Sequence, residues 1–123
     1  MKIWNLVGVV ALAALSQPAM AADASKGKTL FETCAKCHSI TPESDSTLVG
    51  PTLKGIVGRK SASLDDFRYS TAMRGANITW DEANLKEYIT DPQAKVKGNR
   101  MALKSTFEPA EIDDIIAYLK TLK

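Results

Sequence analysis

Apolar positions recur at helical spacing in several stretches of this chain, and nowhere do they alternate as the faces of a β-strand would. The clearest stretch is the last. Glu108 stands as a cap, Pro109 takes the first helical position, Ile112, Ile115, Ile116 and Leu119 share a face, and Lys120 and Lys123 lie near the negative end. Phe107 is placed to pack on Ile112 as a hydrophobic staple. An earlier pattern predicts a helix from about Ser25 into a turn at Cys34, capped by Asp23 or Ser25 and anchored by Leu30 and Phe31. Gly27, inside that helix, costs about 1 kcal/mol relative to alanine, which points to a close neighbour. A further helix is predicted over Trp80 to Thr90, with Thr79 and Glu82 as its capping box and Asp91-Pro92 as its stop. A short helical turn fits between Ser70 and Gly75. The segments from Thr41 to Ser63, punctuated by Pro42, Gly50, Pro51, Gly55 and Gly58, and from Pro92 to Thr106 read as loops. The chain is therefore all-α, with short helices and long connections.

Hydropathy sets the first residues apart. Met1 and Lys2 precede an apolar run from Ile3 to Leu15, interrupted at Asn5, and Ala19-Met20-Ala21 supplies the small residues of a cleavage site. The run is short for a bilayer span, so residues 1–21 read as a secretory signal and 22–123 as one mature domain; the competing reading is a retained anchor. Export across a bacterial cytoplasmic membrane would put the mature protein in the periplasm. So short a domain buries a limited core of its own, and a large apolar cofactor would supply the missing interior. Without Lys2, the 16 basic side chains become 15 against 14 acidic ones, a net charge of +1 that predicts no nucleic-acid partner. Distribution matters more than the sum. Lys95, Lys97, Arg100 and Lys104 occur in a stretch without acids, and Glu108, Glu111, Asp113 and Asp114 follow without a base. This asymmetry predicts a basic docking face, to which Lys36 could add, that meets an acidic patch on a partner; an ordinary solvated surface is the plainer alternative.

The chemistry is concentrated in Cys34-Ala35-Lys36-Cys37-His38, which holds both cysteines and the only histidine. Positions i, i+3 and i+4 of a helical turn face one way, so two sulfurs and an imidazole can meet one planar group. This is the attachment signature of a covalently bound c-type haem, in which the thiols add to the vinyl groups and the imidazole ligates the iron. A thioredoxin-like Cys-x-x-Cys would want a βαβ setting, which the flanking pattern lacks. Structural zinc would want four ligands where Cys and His together number three. A disulfide closing so short a loop would stabilise little. With His38 on one side of the iron, the sixth position needs a side chain with a lone pair. Only Met73 and Met101 remain after the signal; Met101, in the loop Gly98-Asn99-Arg100-Met101, is the favoured candidate, and Met73 or no protein ligand are the others.

Over essentially the whole mature length the chain resembles the class I cytochromes c, the mitochondrial protein and its bacterial relatives. Gly27, Phe31 and the segment from Ile115 to Tyr118 match the family's crossing terminal helices. Gly50-Pro51 matches the loop whose proline carbonyl accepts a hydrogen bond from the ligand histidine. The resemblance implies that Gly58-Arg59-Lys60, Tyr69 and Trp80 surround the haem propionates, that Tyr88 stands near the ligand methionine, and that Pro92 opens the methionine loop. The chain departs from the mitochondrial pattern at Leu103, Met73 and Asn99, where phenylalanine, asparagine and threonine are usual. The resemblance implies the cytochrome c fold, three to five short helices and long loops around one covalently bound haem. It also implies a monomeric electron carrier, not an enzyme, whose partners are membrane or soluble redox proteins such as a quinol-oxidising complex, a terminal oxidase, a reaction centre or a dehydrogenase. A haem enzyme or gas sensor with an open iron is the alternative, and it requires that Met101 not ligate, or leave readily.

Overall fold

The computed structural model describes residues 8–10, 21–103 and 106–123. Most of the expected signal, and Lys104 of the expected docking face, lie outside the described residues. Among the described residues six helical segments follow in order: α1 (Ala24–Leu30), α2 (Glu32–Ala35), α3 (Thr71–Arg74), α4 (Glu82–Thr90), α5 (Pro92–Lys95) and α6 (Pro109–Leu119). Among the described residues the β-pairing is a single bridge between Lys60 and Thr79.

Helix α1 begins where Asp23 accepts hydrogen bonds from the backbone N–H groups of Ser25 and Lys26, at 2.9 and 3.3 Å. Such a cap contributes about 1 kcal/mol. At the other end of the chain, the Glu108 N–H donates to the Glu111 carboxylate at 2.8 Å, and Pro109 starts α6. Helix α6 buries Ile112, Ile115, Ile116, Tyr118 and Leu119. At about 1.5–3 kcal/mol for each large apolar side chain removed from water, this face is the largest single contribution to the core. It packs on α1, and the aromatic rings of Phe31 and Tyr118 meet at 5.2 Å between centroids. Gly27 explains how closely the helices approach. A Cβ on it would lie 1.9 Å from the Asp114 carbonyl oxygen. The expected staple partner Phe107 lies against the same core, beneath which Ile112 is 2 % exposed.

Two expectations need correction. The middle helix starts at Glu82, not at Trp80, and its cap is Asp81, whose carboxylate accepts from the Asn84 N–H at 2.8 Å. Trp80 is held outside the helix because its N–H donates to the Arg59 carbonyl and its carbonyl accepts from Gly58 N–H, both at 2.8 Å. The segment after Asp91 is not all loop, because Asp91 caps a further turn by accepting from Ala94 N–H at 3.2 Å, with Pro92 at its start. The helical turn expected between Ser70 and Gly75 is α3, where the Ser70 hydroxyl accepts from Met73 N–H at 3.0 Å.

Gly27→Ala is expected to destabilise the fold by about 3 kcal/mol, since the added methyl group meets backbone that no rotamer can move. Urea denaturation of the two proteins measures it, and an equal midpoint would mean that the helices do not cross at Gly27.

Candidate functional site

Helices α1 and α2 run almost continuously into the Cys-x-x-Cys-His segment. The turn is closed by the Cys37 and His38 N–H groups, which donate to the Cys34 carbonyl at 3.0 and 2.9 Å. Cys34 is half-buried and packs against the core, whereas Cys37 is exposed. Burial pushes the Cys34 thiol up to about 11, with a smaller contribution from the neighbouring Cys37. A thiol that keeps its proton at neutral pH is the opposite of a dithiol–disulfide catalyst, whose attacking sulfur is held as thiolate. Nor does a zinc centre assemble: among the described residues no three of His, Cys, Asp and Glu gather around a point that could hold an ion.

His38 is held from behind. Its Nδ1 lies 2.7 Å from the Pro51 carbonyl oxygen. A carbonyl can only accept, so Nδ1 carries the proton and Nε2 keeps its lone pair for a metal. Burial holds the imidazole below its usual pKa; the Pro51 carbonyl opposes that effect and the positive charge of Arg59 adds to it. The ring is therefore neutral and ready to ligate at physiological pH. Gly50 forms the floor under it, where a Cβ would come within 2.6 Å of Cε1 and 2.7 Å of Nδ1. The loop that presents Pro51 is tied down by side chains. Thr52, 1 % exposed, donates its hydroxyl to the Thr41 carbonyl, and its N–H donates to the Ser44 hydroxyl at 3.0 Å. Ser44 in turn donates to both carboxylate oxygens of Asp66, at 2.7 and 2.8 Å. These bonds hold the Asp66 carboxyl below the usual carboxylate range.

The residues expected around the propionates come together in part. Arg59 donates to the carbonyls of Thr52 and Lys54 at 2.8 and 3.1 Å and is close enough to Tyr69 for the two to shift one another's ionisation. Burial raises the Tyr69 phenol above its usual pKa, an effect that Arg59 opposes. Trp80 joins this group through its backbone pairing with Gly58 and Arg59, while its ring packs on Tyr88 at 4.9 Å. Met101 and Met73 are both half-buried against the core. Asn99, noted in the sequence only as a departure, is 8 % exposed and accepts from both the Tyr88 hydroxyl and the Met101 N–H. Nothing in its spacing marked it.

The sequence pattern of the Cytochrome c family matches residues 24–123. The chain belongs to the cytochrome c family. Among its relatives, cytochrome c2 of Blastochloris viridis is 42 % identical over 113 residues, covering 92 % of this chain and 88 % of that one. Cytochrome c-550 of Bradyrhizobium diazoefficiens is 45 % identical over 96 residues, covering 78 % and 70 %. In three dimensions the chain is similar to cytochrome cH from Methylobacterium extorquens, with a TM-score of 0.74 and 42 % identity over 80 % of this chain and 98 % of that one. As a class I c-type cytochrome it carries covalently bound haem c and functions as an electron carrier. The residues present fit that group: two thiols and an imidazole on one turn, a histidine tautomer fixed with Nε2 open, and a glycine cradle beneath the ring.

Burial pushes the Tyr88 phenol up to about 12, so it keeps the proton it donates to Asn99. Between about pH 10, where an unfolded tyrosine ionises, and pH 12, the unfolded chain has lost a proton that the folded chain retains. Stability attributable to this group therefore falls as pH rises, by about 1.4 kcal/mol per unit. Tyr88→Phe is expected to flatten that part of the slope. Urea midpoints of both proteins from pH 9 to 12 check it, and parallel slopes would contradict the burial of the phenol.

Proposed function

We propose that this cytochrome is a soluble periplasmic single-electron carrier, exported by cleavage after Ala21, in which Cys34 and Cys37 anchor the haem and His38 and Met101 are its axial ligands. The bond between His38 Nδ1 and the Pro51 carbonyl, 2.7 Å long, carries the reading, because it fixes the tautomer that leaves Nε2 open to the iron. When bound, the haem supplies a one-electron couple between ferric and ferrous iron.

The chain's own residues set the conditions for that couple. His38, braced by Pro51 and Gly50, offers a neutral nitrogen that needs no rearrangement between redox states. Met101 offers a thioether, a soft donor that favours ferrous iron; the handing of this ligand pair to cytochromes c is general to the class. The buried cluster of Phe31, Ile56, Trp80 and Leu85 keeps water out, which disfavours the extra positive charge of the oxidised state. Arg59 has N–H groups beyond the two that bind carbonyls, and with Tyr69 it can receive the propionates.

For docking, Lys97, Arg100 and Lys36 are exposed, but Lys95 is occupied: its ammonium binds the Glu87 carboxylate and, at 2.9 Å, the Asn84 amide oxygen. Arg100 reaches the carbonyls of Arg68 and Tyr69 at 3.3 and 3.4 Å, which leaves its charge uncompensated among the described residues. An acidic patch on a redox partner would meet Lys97 and Arg100 first.

Met101→Ala is expected to lower the reduction potential and let carbon monoxide bind the ferrous protein, which the parent should exclude. Absorption spectra with and without the gas, together with redox titration, test this. Gas binding by the parent protein would favour the open-iron enzyme or sensor instead. On docking, Lys97→Glu is expected to slow bimolecular electron transfer to an acidic partner at low salt by a larger factor than Lys95→Glu, with both effects fading as salt shortens the Debye length from about 10 Å at 0.1 M to about 3 Å at 1 M. Stopped-flow rates across an ionic-strength series decide it; equal rates for Lys97→Glu and the parent at low salt would remove Lys97 from the docking face.

A further inference from the structure

Asn99 is a polar side chain in the apolar core, and all of its hydrogen-bonding capacity is engaged. Its Oδ1 accepts from the Met101 N–H at 2.7 Å and from the Tyr88 hydroxyl at 3.1 Å. Its Nδ2 donates to the carbonyls of Val96 and Pro92, at 2.7 and 2.9 Å. One side chain thus joins α4 through Tyr88, α5 through Pro92, and the loop that carries Met101. The backbone of the same residue is held from outside. Gln93 brackets it, donating from Nε2 to the Asn99 carbonyl at 2.9 Å and accepting from the Gly98 N–H at 3.1 Å. Gly98 itself turns the chain at a φ of +89°, a conformation that lets the loop fold back over Asn99.

We infer that Asn99 is the positioning residue for Met101: its side-chain amide clamps the Met101 backbone to α4 and α5 so that the thioether is held where it can ligate. The inference rests on the reading of Met101 as a haem ligand. Threonine or serine at this position could reach some of these partners but could not accept two bonds and donate two at once. An apolar side chain of similar size would leave the Met101 N–H and the Tyr88 hydroxyl without partners, while the Pro92 and Val96 carbonyls would keep only the backbone bonds they accept from the Val96 and Asn99 N–H groups, and the loop would open to hydrate the orphaned donors.

A clamp has a signature that a merely stabilising residue lacks. An added ligand binds the iron only when Met101 is away, so its apparent affinity scales with the fraction of molecules in which the loop is open. The test is imidazole titration of the ferric holoprotein, followed by its absorption spectrum, for the parent, Asn99→Leu, Asn99→Ser and Met101→Ala, with the melting midpoint of each. Asn99→Leu is expected to bind imidazole on the order of tenfold more tightly than the parent, with Asn99→Ser between them. Met101→Ala sets the upper limit. Should Asn99→Leu not accumulate, Asn99→Ser alone decides, as its side chain fits the same space. Parent-like imidazole affinity in the Asn99 variants, with tighter binding in Met101→Ala, would overturn the clamp and leave the ligand intact, whatever happens to the melting midpoint. Parent-like affinity in Met101→Ala would overturn both.

Discussion

Where α1 crosses α6, two backbones meet with almost nothing between them, and the rest of the molecule is arranged from that contact. A Cβ at Gly27 would overlap the Asp114 carbonyl, so the separation of the helices is set by main chain and not by the shapes of side chains. A second bond, from the Asp23 N–H to the Asp114 carboxylate at 2.7 Å, fixes the start of α1 against the same point. The helix that is located in this way leads directly into the Cys34–His38 turn. A small shift at the crossing would therefore move both thiols and the imidazole together relative to the core. Rigidity in the haem-binding turn is inherited from a contact several residues upstream.

Beyond the helices, the site is held by side chains that substitute for secondary structure. The Pro51 loop has no ladder or helix of its own, and a chain of hydrogen bonds from Asp66 through Ser44 to Thr52 gives it order. The methionine loop is held in the same fashion by Asn99 and Gln93. Both sides of the site thus rest on partnered polar residues, and for the two that are buried, Thr52 and Asn99, this is the condition under which burial costs little.

Much of this was legible in the sequence. The spacing of Ile112, Ile115, Ile116 and Leu119 gave α6, because an amphipathic face and a Pro-led start are local signals. Gly27 could be read as a close approach, and the Cys-x-x-Cys-His spacing stated its chemistry outright. What could not be read were contacts between different elements. Trp80 looks helical by pattern, but its pairing with Arg59, set by tertiary structure, keeps it outside α4. Lys95 looks like an open docking charge until α4 brings Glu87 and Asn84 to it. Asn99 carries no local mark at all, since its four partners come from three different elements and only folding brings them to one amide.

The crossing of α1 and α6 also dictates an order of events during biogenesis. Gly27 and Asp114 stand about 87 residues apart, so the contact closes a loop that comprises most of the domain, and it cannot form until nearly the entire chain has been synthesised. Until α6 arrives, α1 has no surface to pack against, and a helix of 7 residues is too short to persist alone. Until then the segment from Cys34 to His38 follows a helix that has nothing to hold it. Attachment of a porphyrin to the two thiols can therefore precede closure of the fold. The crossing then fixes both thiols and the imidazole against the core in a single closing contact.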